Sequence, residues 1–188
     1  KDNNAYSNKE KEERLQLKST ADEGDTSAMF NYANMLRDGI GVTQNEKESC
    51  RYYKMAADKG HVDSMYNYAL LLDKGKNPNK KEACKYYKMA ADNGDVKSMI
   101  NYAHILNNGD GVPVNKDLAS EYFKAAADKG CQEGMNNYLA ILSNKDESKM
   151  NNKEESRYCK MSADAGNVES MNKYGMMLKK GIGVGINK

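Results

Sequence analysis

The sequence predicts an all-α fold, a right-handed α/α superhelix of antiparallel helix pairs with about ten helices. Three observations predict it. First, the stretch Tyr52-Tyr53-Lys54-Met55-Ala56-Ala57-Asp58-Lys59-Gly60 returns at residues 86–94 and 122–130, more loosely at 158–166, and in worn form at Ala21-Asp22-Glu23-Gly24. Second, the closing glycines Gly24, Gly60, Gly94, Gly130 and Gly166 fall 36, 34, 36 and 36 residues apart. A period of that length marks a helix-pair unit that cannot bury its apolar face alone, so neighbours must stack. Third, Met29, Tyr32, Ala33 and Leu36 recur in phase, as Met65, Tyr68, Ala69 and Leu72 and again as Met99, Tyr102, Ala103 and Leu106. Spacings of three, one and three place them on one helical stripe. Met135, Tyr138, Leu139 and Leu142, then Met171, Tyr174, Gly175 and Leu178, continue it.

Taken in order, residues 1–12 are a polar N-terminal segment and the start of a first helix, and 13–188 form the repeat array. Ser7 followed by Glu10 reads as a capping box opening a helix that ends near Asp22. From Gly24 each unit has two helices. The first-type helices are expected at 26–38, 62–74, 96–108, 132–144 and 168–180, and the second-type helices at 46–58, 80–92, 116–128 and 152–164. Asn45, Asn79, Asn115 and Asn151 cap the starts of the second-type helices. Glu48, Glu82 and Glu154 stand three residues on, where each would complete a capping box. The closing glycines sit where a helix ends in the left-handed region.

The loop inside a unit reads Gly39-Ile40-Gly41-Val42, Gly109-Asp110-Gly111-Val112 and Gly181-Ile182-Gly183-Val184, with the valine expected to plug the gap between the helices. The second unit shortens the loop to Gly75-Lys76-Asn77-Pro78, which accounts for the one 34-residue interval. The fourth, Lys145-Asp146-Glu147-Ser148-Lys149-Met150, has no glycine and is expected to be the most mobile. Both ends cut a unit in half, so a stretch of a longer polypeptide is expected.

Charge and composition exclude several functions. Lys+Arg 29 against Asp+Glu 27 leaves +2 with both signs interspersed, which speaks against nucleic-acid binding. No run approaches the roughly 18 apolar residues of a membrane span, so no membrane insertion is expected. Cys50 and Cys84 hold the same repeat position and should lie one helix spacing apart, about 8–10 Å between axes. That exceeds the roughly 7 Å Cα limit of a disulfide. Reduced thiols follow, favouring a cytoplasmic location. The absence of any Asn-X-Ser/Thr acceptor agrees with a protein that is not secreted.

His61 and His104 have no second ligand at metal spacing, and no cysteine is paired with a histidine. His61 reads as a weak helix cap. Gly181-Ile182-Gly183-Val184-Gly185 follows no strand, so it is an inter-helix turn and not a phosphate cradle. The lysines at 18, 54, 88, 124 and 160 stand four residues before an aspartate and read as solvated ion pairs. No catalytic residue, metal or cofactor is expected.

With the consensus assembled, the chain resembles Sel-one-like repeats, relatives of the tetratricopeptide family, over residues 13–188. The resemblance rests on a small residue (Ala28, Ser64, Ser98, Gly134, Ser170), the Gly-X-Gly-Val loop, the aromatic pairs Tyr52-Tyr53, Tyr86-Tyr87 and Tyr122-Phe123, and the closing glycine. It departs in Tyr32 and its copies, in Met55 and Met89, and in the glycine-free fourth loop. The resemblance implies a non-catalytic adaptor or scaffold, as in endoplasmic-reticulum quality control, bacterial signalling, or repeats appended to eukaryotic kinases. A regulatory segment of a larger catalytic protein is the alternative. A secreted penicillin-binding relative is a lesser one, since no unit here has one cysteine on each helix at a matching spacing.

By analogy with tetratricopeptide geometry, the first-type helices line a concave face. Next to the core stripe there stand Phe30, Asn34 and Arg37, then Tyr66, Leu70 and Asp73, then Ile100, His104 and Asn107. Phe30, Tyr66, Leu70 and Ile100 form the expected apolar strip for a protein or peptide partner. Weak self-association through the truncated ends is also expected.

Overall fold

A computed structural model describes residues 8–144 and 151–184. The described residues form ten helices and no strand: α1 (Asn8–Asp22), α2 (Thr26–Asp38), α3 (Glu46–Asp58), α4 (Val62–Lys74), α5 (Lys80–Asp92), α6 (Val96–Asn108), α7 (Lys116–Asp128), α8 (Gln132–Ser143), α9 (Asn152–Asp164) and α10 (Val168–Lys180). The expected ranges match to within one residue. Ser7 and the fourth loop, residues 145–150, lie outside the described residues. The fold is an all-α solenoid of helix pairs, in which α1 to α5 pack in succession and so do α7 to α10. Contacts divide the chain into two compact units, one ending at Ser98 and the other beginning at Met99.

One joint recurs wherever a second-type helix hands over to the next first-type helix. The Gly60 N–H donates to the Ala57 carbonyl at 2.9 Å and the His61 N–H to the Ala56 carbonyl at 3.0 Å. This crossed pair of bonds satisfies carbonyls the helix end would orphan, and it needs the left-handed backbone that Gly60 supplies at φ 94°. The same pair closes α1, α5, α7 and α9. The residue after each glycine then caps the following helix. Asp25, Asp95 and Asn167 accept from the N–H three residues on, and His61 does so through Nδ1 from Ser64 at 3.2 Å. Cys131 makes no such side-chain bond.

Asn45, Asn79, Asn115 and Asn151 all cap as read, but the reciprocal bond of the expected capping box is not made at Asn45 or Asn79. The backbone N–H that a reciprocal glutamate would accept is already spent in the loops after α2, α4 and α6. Asn45, Asn79 and Asn115 donate it to the carbonyls of Leu36, Leu72 and Leu106 at 2.7–2.8 Å. The loop therefore folds back onto the end of the helix it left.

The stripe read from the sequence is the core. Met29, Met65, Met99 and Met135 are buried, as are Ala33, Ala69 and Ala103. Edge-to-face tyrosine pairs join the two helices of each unit: Tyr32–Tyr52, Tyr68–Tyr86, Tyr102–Tyr122 and Tyr138–Tyr158, with centroids 4.7–5.0 Å apart and rings at 80–89°. Such a pair adds about 0.5–1.5 kcal/mol beyond the area it buries. Small residues let the next helix approach. A Cβ on Gly134 would meet the Ala127 nitrogen at 2.7 Å.

Successive second-type helices are linked by a polar bond. The hydroxyls of Tyr52, Tyr86 and Tyr158 donate to Oδ1 of Asp22, Asp58 and Asp128, one repeat earlier, at 2.5–2.6 Å. At Asp22 and Asp58 the other carboxylate oxygen accepts from the lysine one turn before, Lys18 and Lys54, at 2.5 and 2.7 Å. The lysine's bond and then the tyrosine's hold the Asp22 carboxyl below the usual range. At Asp58 burial pushes the other way, and the bonds from Lys54 and Tyr86 outweigh it. Lys88–Asp92 and Lys160–Asp164 pair as read, but Lys124 turns instead to Glu154.

Among the described residues no helix covers the outer face of α10. Met171 and Leu178 of α10 are each 46% exposed, whereas Met135 and Leu142 are 2% exposed at the same positions of α8. Leu72 is a second exception, half-buried where Leu36, Leu106 and Leu142 are buried. Met65→Ala should therefore lower the unfolding free energy by about 2–5 kcal/mol in denaturant titration. Leu72→Ala should cost clearly less than Leu36→Ala.

Candidate interaction site

The candidate residues are carried by the first-type helices, and in the first unit by α2 and α4. Phe30 is half-buried, its ring 5.0 Å from His61 and 6.0 Å from Tyr53. Tyr53 donates its hydroxyl to Asn34 Oδ1 at 2.5 Å. Arg37 Nη1 donates both to that hydroxyl and to Asn67 Oδ1, each at 3.0 Å. Its Nε and Nη2 hold Asp38, which keeps the guanidinium charged. Burial pushes the Tyr53 phenol up to about 12, so it remains a neutral donor. Phe30, Asn34 and Arg37 are thus brought together in a network that ties α2, α3 and α4.

One repeat on, the chemistry changes while the backbone does not. Tyr66 is half-buried, 6.2 Å from the Tyr87 ring, with the Lys97 ammonium 5.8 Å from its centroid. Leu70 and Asp73 stand where Asn34 and Arg37 stood, and Asp73 pairs with Lys80. Tyr87, the counterpart of Tyr53, is consequently buried with a hydroxyl that has no partner among the described residues. Burial, with Asp73 and Tyr66 adding to it, raises its pKa further.

In the second unit the expected strip is corrected. Ile100 is 5% exposed and belongs to the core. It holds the position of Phe30 and Tyr66, but its short aliphatic chain ends below the surface that an aromatic ring reaches. His104 and Asn107 remain at the surface. The His104 ring lies 5.0 Å from Phe123 and its Nε2 is 3.2 Å from Glu133 Oε1, while Asn107 donates to Asn108. Exposed apolar surface on these helices is therefore confined to Phe30, Tyr66 and Leu70 among the candidates.

Sequence reasoning missed Tyr53, Asn67, His61 and Lys97 as neighbours of the strip. Tyr53 and His61 had been placed in the aromatic pair and in a cap, roles they also fill. Asn67 recurs in register as Asn31, Asn101 and Asn137, a signal that could have drawn notice. Among the described residues no group of three or more His, Cys, Asp or Glu could hold a metal ion. All four cysteines are free, and burial pushes the thiols of Cys50, Cys84 and Cys159 up, away from nucleophilic thiolate. No described helix is long and apolar enough to cross a membrane.

The family model of the Sel1 repeat matches residues 26–61, 62–95, 96–131 and 168–188. The chain belongs to the Sel1 repeat family. The unmatched stretch between the third and fourth matches contains the glycine-free loop, yet α8 and α9 there keep the tyrosine pair of the other units. Among solved structures the chain is similar to a protective antigen with an SLR fold present in uropathogenic Escherichia coli strains. Identity is 25%, the TM-score is 0.76, and the match covers 93% of this chain and 38% of that one. A Sel1 repeat protein from Oxalobacter formigenes matches at 22% identity and a TM-score of 0.70, over 86% of this chain and 65% of its own. A putative Sel1 repeat protein from Klebsiella pneumoniae matches at 18% and 0.50, over 93% and 86%. The chain thus spans less than two thirds of the first two structures. No curated protein matches it. Sel1 repeat proteins are typically protein-interaction scaffolds and generally non-catalytic.

Proposed function

We propose that this Sel1 repeat chain is a non-catalytic adaptor that binds a peptide or protein segment on the face of its first-type helices, through α2 and α4. The observation that carries the reading is the partly buried run Phe30, Tyr66 and Leu70, set beside the polar network of Asn34, Arg37 and Asn67. Aromatic and aliphatic anchors beside fixed hydrogen-bonding groups are the surface on which binding energy concentrates. The Arg37 network keeps that surface rigid, which lowers the ordering cost of binding. We further propose a cytoplasmic location, a reading with which four free thiols agree.

Capture from native lysate tests the reading. Tyr66→Ala should weaken binding of the captured partner by at least ~1 kcal/mol with the helical circular dichroism unchanged. Lys81→Ala, exposed on α5, should leave it unaltered. Lys124 is unsuited as that control because it bonds Glu154. Equal capture by Tyr66→Ala would remove the site. The uncovered face of α10 supports a second, weaker contact between copies of the chain. Sedimentation should show reversible association at high concentration, relieved by Met171→Lys with Leu178→Lys. A strict monomer at every concentration would exclude it.

A further inference from the structure

A second place in the first unit shares no residue with the Phe30, Tyr66 and Leu70 run. It is a cleft of about 920 Å³ beside the start of α3, with Cys50, Tyr68, Leu71 and Leu72 along its walls and the lysines 47 and 76 at its rim. The corresponding place one repeat earlier is divided into two hollows of about 300 Å³ each, with Arg14 lining both. The lining of the first is the same by register, Lys11 for Lys47, Arg14 for Cys50, Tyr32 for Tyr68, with one addition. Val42, from the Gly-X-Gly-Val loop, lies against it. The second loop is two residues shorter and has no valine to offer. The cysteine that replaces Arg14 is also the smaller side chain. Leu72 is the leucine left half-buried as a result, while its counterparts Leu36 and Leu106 are covered.

The short loop cannot fold in to close the gap. Its Gly75 N–H is held by the Leu71 carbonyl at 2.8 Å, the Lys76 N–H by Glu46 Oε1 at 3.2 Å, and the Asn79 N–H by the Leu72 carbonyl at 2.7 Å. Gly75 is also packed so closely on the Leu71 carbonyl that a Cβ there would collide with it. The cleft is therefore a fixed feature with an apolar wall. Lys47, Arg51, Lys54 and Lys76 line it together with Glu46 and Glu48, and Glu82 accepts from the hydroxyl of Tyr68 in its wall. Arg51 is taken by Glu48 and Lys54 by Asp58. Among the described residues the ammonium groups of Lys47 and Lys76 have no acidic partner.

We propose that this cleft is a second docking site, which takes a segment of a partner protein carrying one aliphatic side chain beside a carboxylate. The aliphatic group fills the space that Val42 fills in the preceding repeat and covers Leu72. The carboxylate meets Lys47 and Lys76. The volume suits a short stretch of peptide, since pockets of roughly 300–1,000 Å³ accept ligands of that size. The site lies apart from Phe30 and Tyr66, so it stands or falls independently of them.

The test is an amide-resolved NMR titration of the chain with the peptide acetyl-Glu-Asp-Gly-Val-Asp-amide at concentrations up to about millimolar. Saturable shifts should cluster at Cys50, Leu72 and Lys76. A peptide with serine for valine should bind about tenfold more weakly, the worth of one buried branched side chain. Lys47→Glu with Lys76→Glu, both exposed and remote from the core, should weaken binding by a similar factor. So should replacing the second loop by Gly-Ile-Gly-Val-Thr-Gln, which restores the plug. Three results would overturn the proposal: no saturable shift in the unmodified chain, equal binding of the serine peptide, or shifts centred on Phe30 and Tyr66.

Discussion

Much of this structure depends on the bond from a tyrosine hydroxyl to the aspartate that closes the second-type helix one repeat earlier. A repeat array has no distant contacts to fall back on, so its order passes from neighbour to neighbour. Tyr52, Tyr86 and Tyr158 each do two things at once. The ring stands edge-on to the tyrosine of its partner helix, and the hydroxyl reaches back to Asp22, Asp58 or Asp128. One side chain thus fixes the pairing inside a unit and the stacking between units. The carboxylate is charged and hydrogen-bonded, which makes the link stronger than one between neutral groups.

Holding the backbone in this way frees other positions to vary. Asn34 and Arg37 are answered by Leu70 and Asp73, and the phenol of Tyr87 loses the partners Tyr53 enjoys, with no change in helix bounds. The second loop loses two residues and its valine, and the helices on either side keep their length. Surface chemistry in this chain is written by substitution at fixed positions. Both proposed docking surfaces arise in that manner, one from aromatic side chains on α2 and α4 and one from a missing plug.

The fold was legible because each repeat states its rules again. The closing glycines gave the helix ends, since the left-handed joint admits little else, and the asparagines gave the starts. The Met-Tyr-Ala-Leu stripe named the core because helical spacing is a property of sequence alone. What was not legible depended on partners far apart in the chain. Nothing local says that the Tyr86 hydroxyl finds Asp58, although both recur in phase and that coincidence was the available signal. Ile100 was misplaced because spacing assigns a face but not how far a side chain reaches. The capping boxes at Asn45 and Asn79 failed for a similar reason, as a carbonyl from the preceding helix outcompeted the glutamate for the asparagine N–H.

A double-mutant cycle at Tyr86 and Asp58 tests the central claim most directly, with unfolding free energies measured for Tyr86→Phe, Asp58→Asn and the pair. The account predicts a coupling of about 1.5–3 kcal/mol at pH 7, as for a hydrogen bond to a charged group. The Asp58 carboxyl is held below its unfolded value in the fold, so the coupling should be fully present above about pH 4. It should fade as the pH falls through the lowered folded value. Additive substitutions at pH 7, or a coupling indifferent to acid, would contradict it.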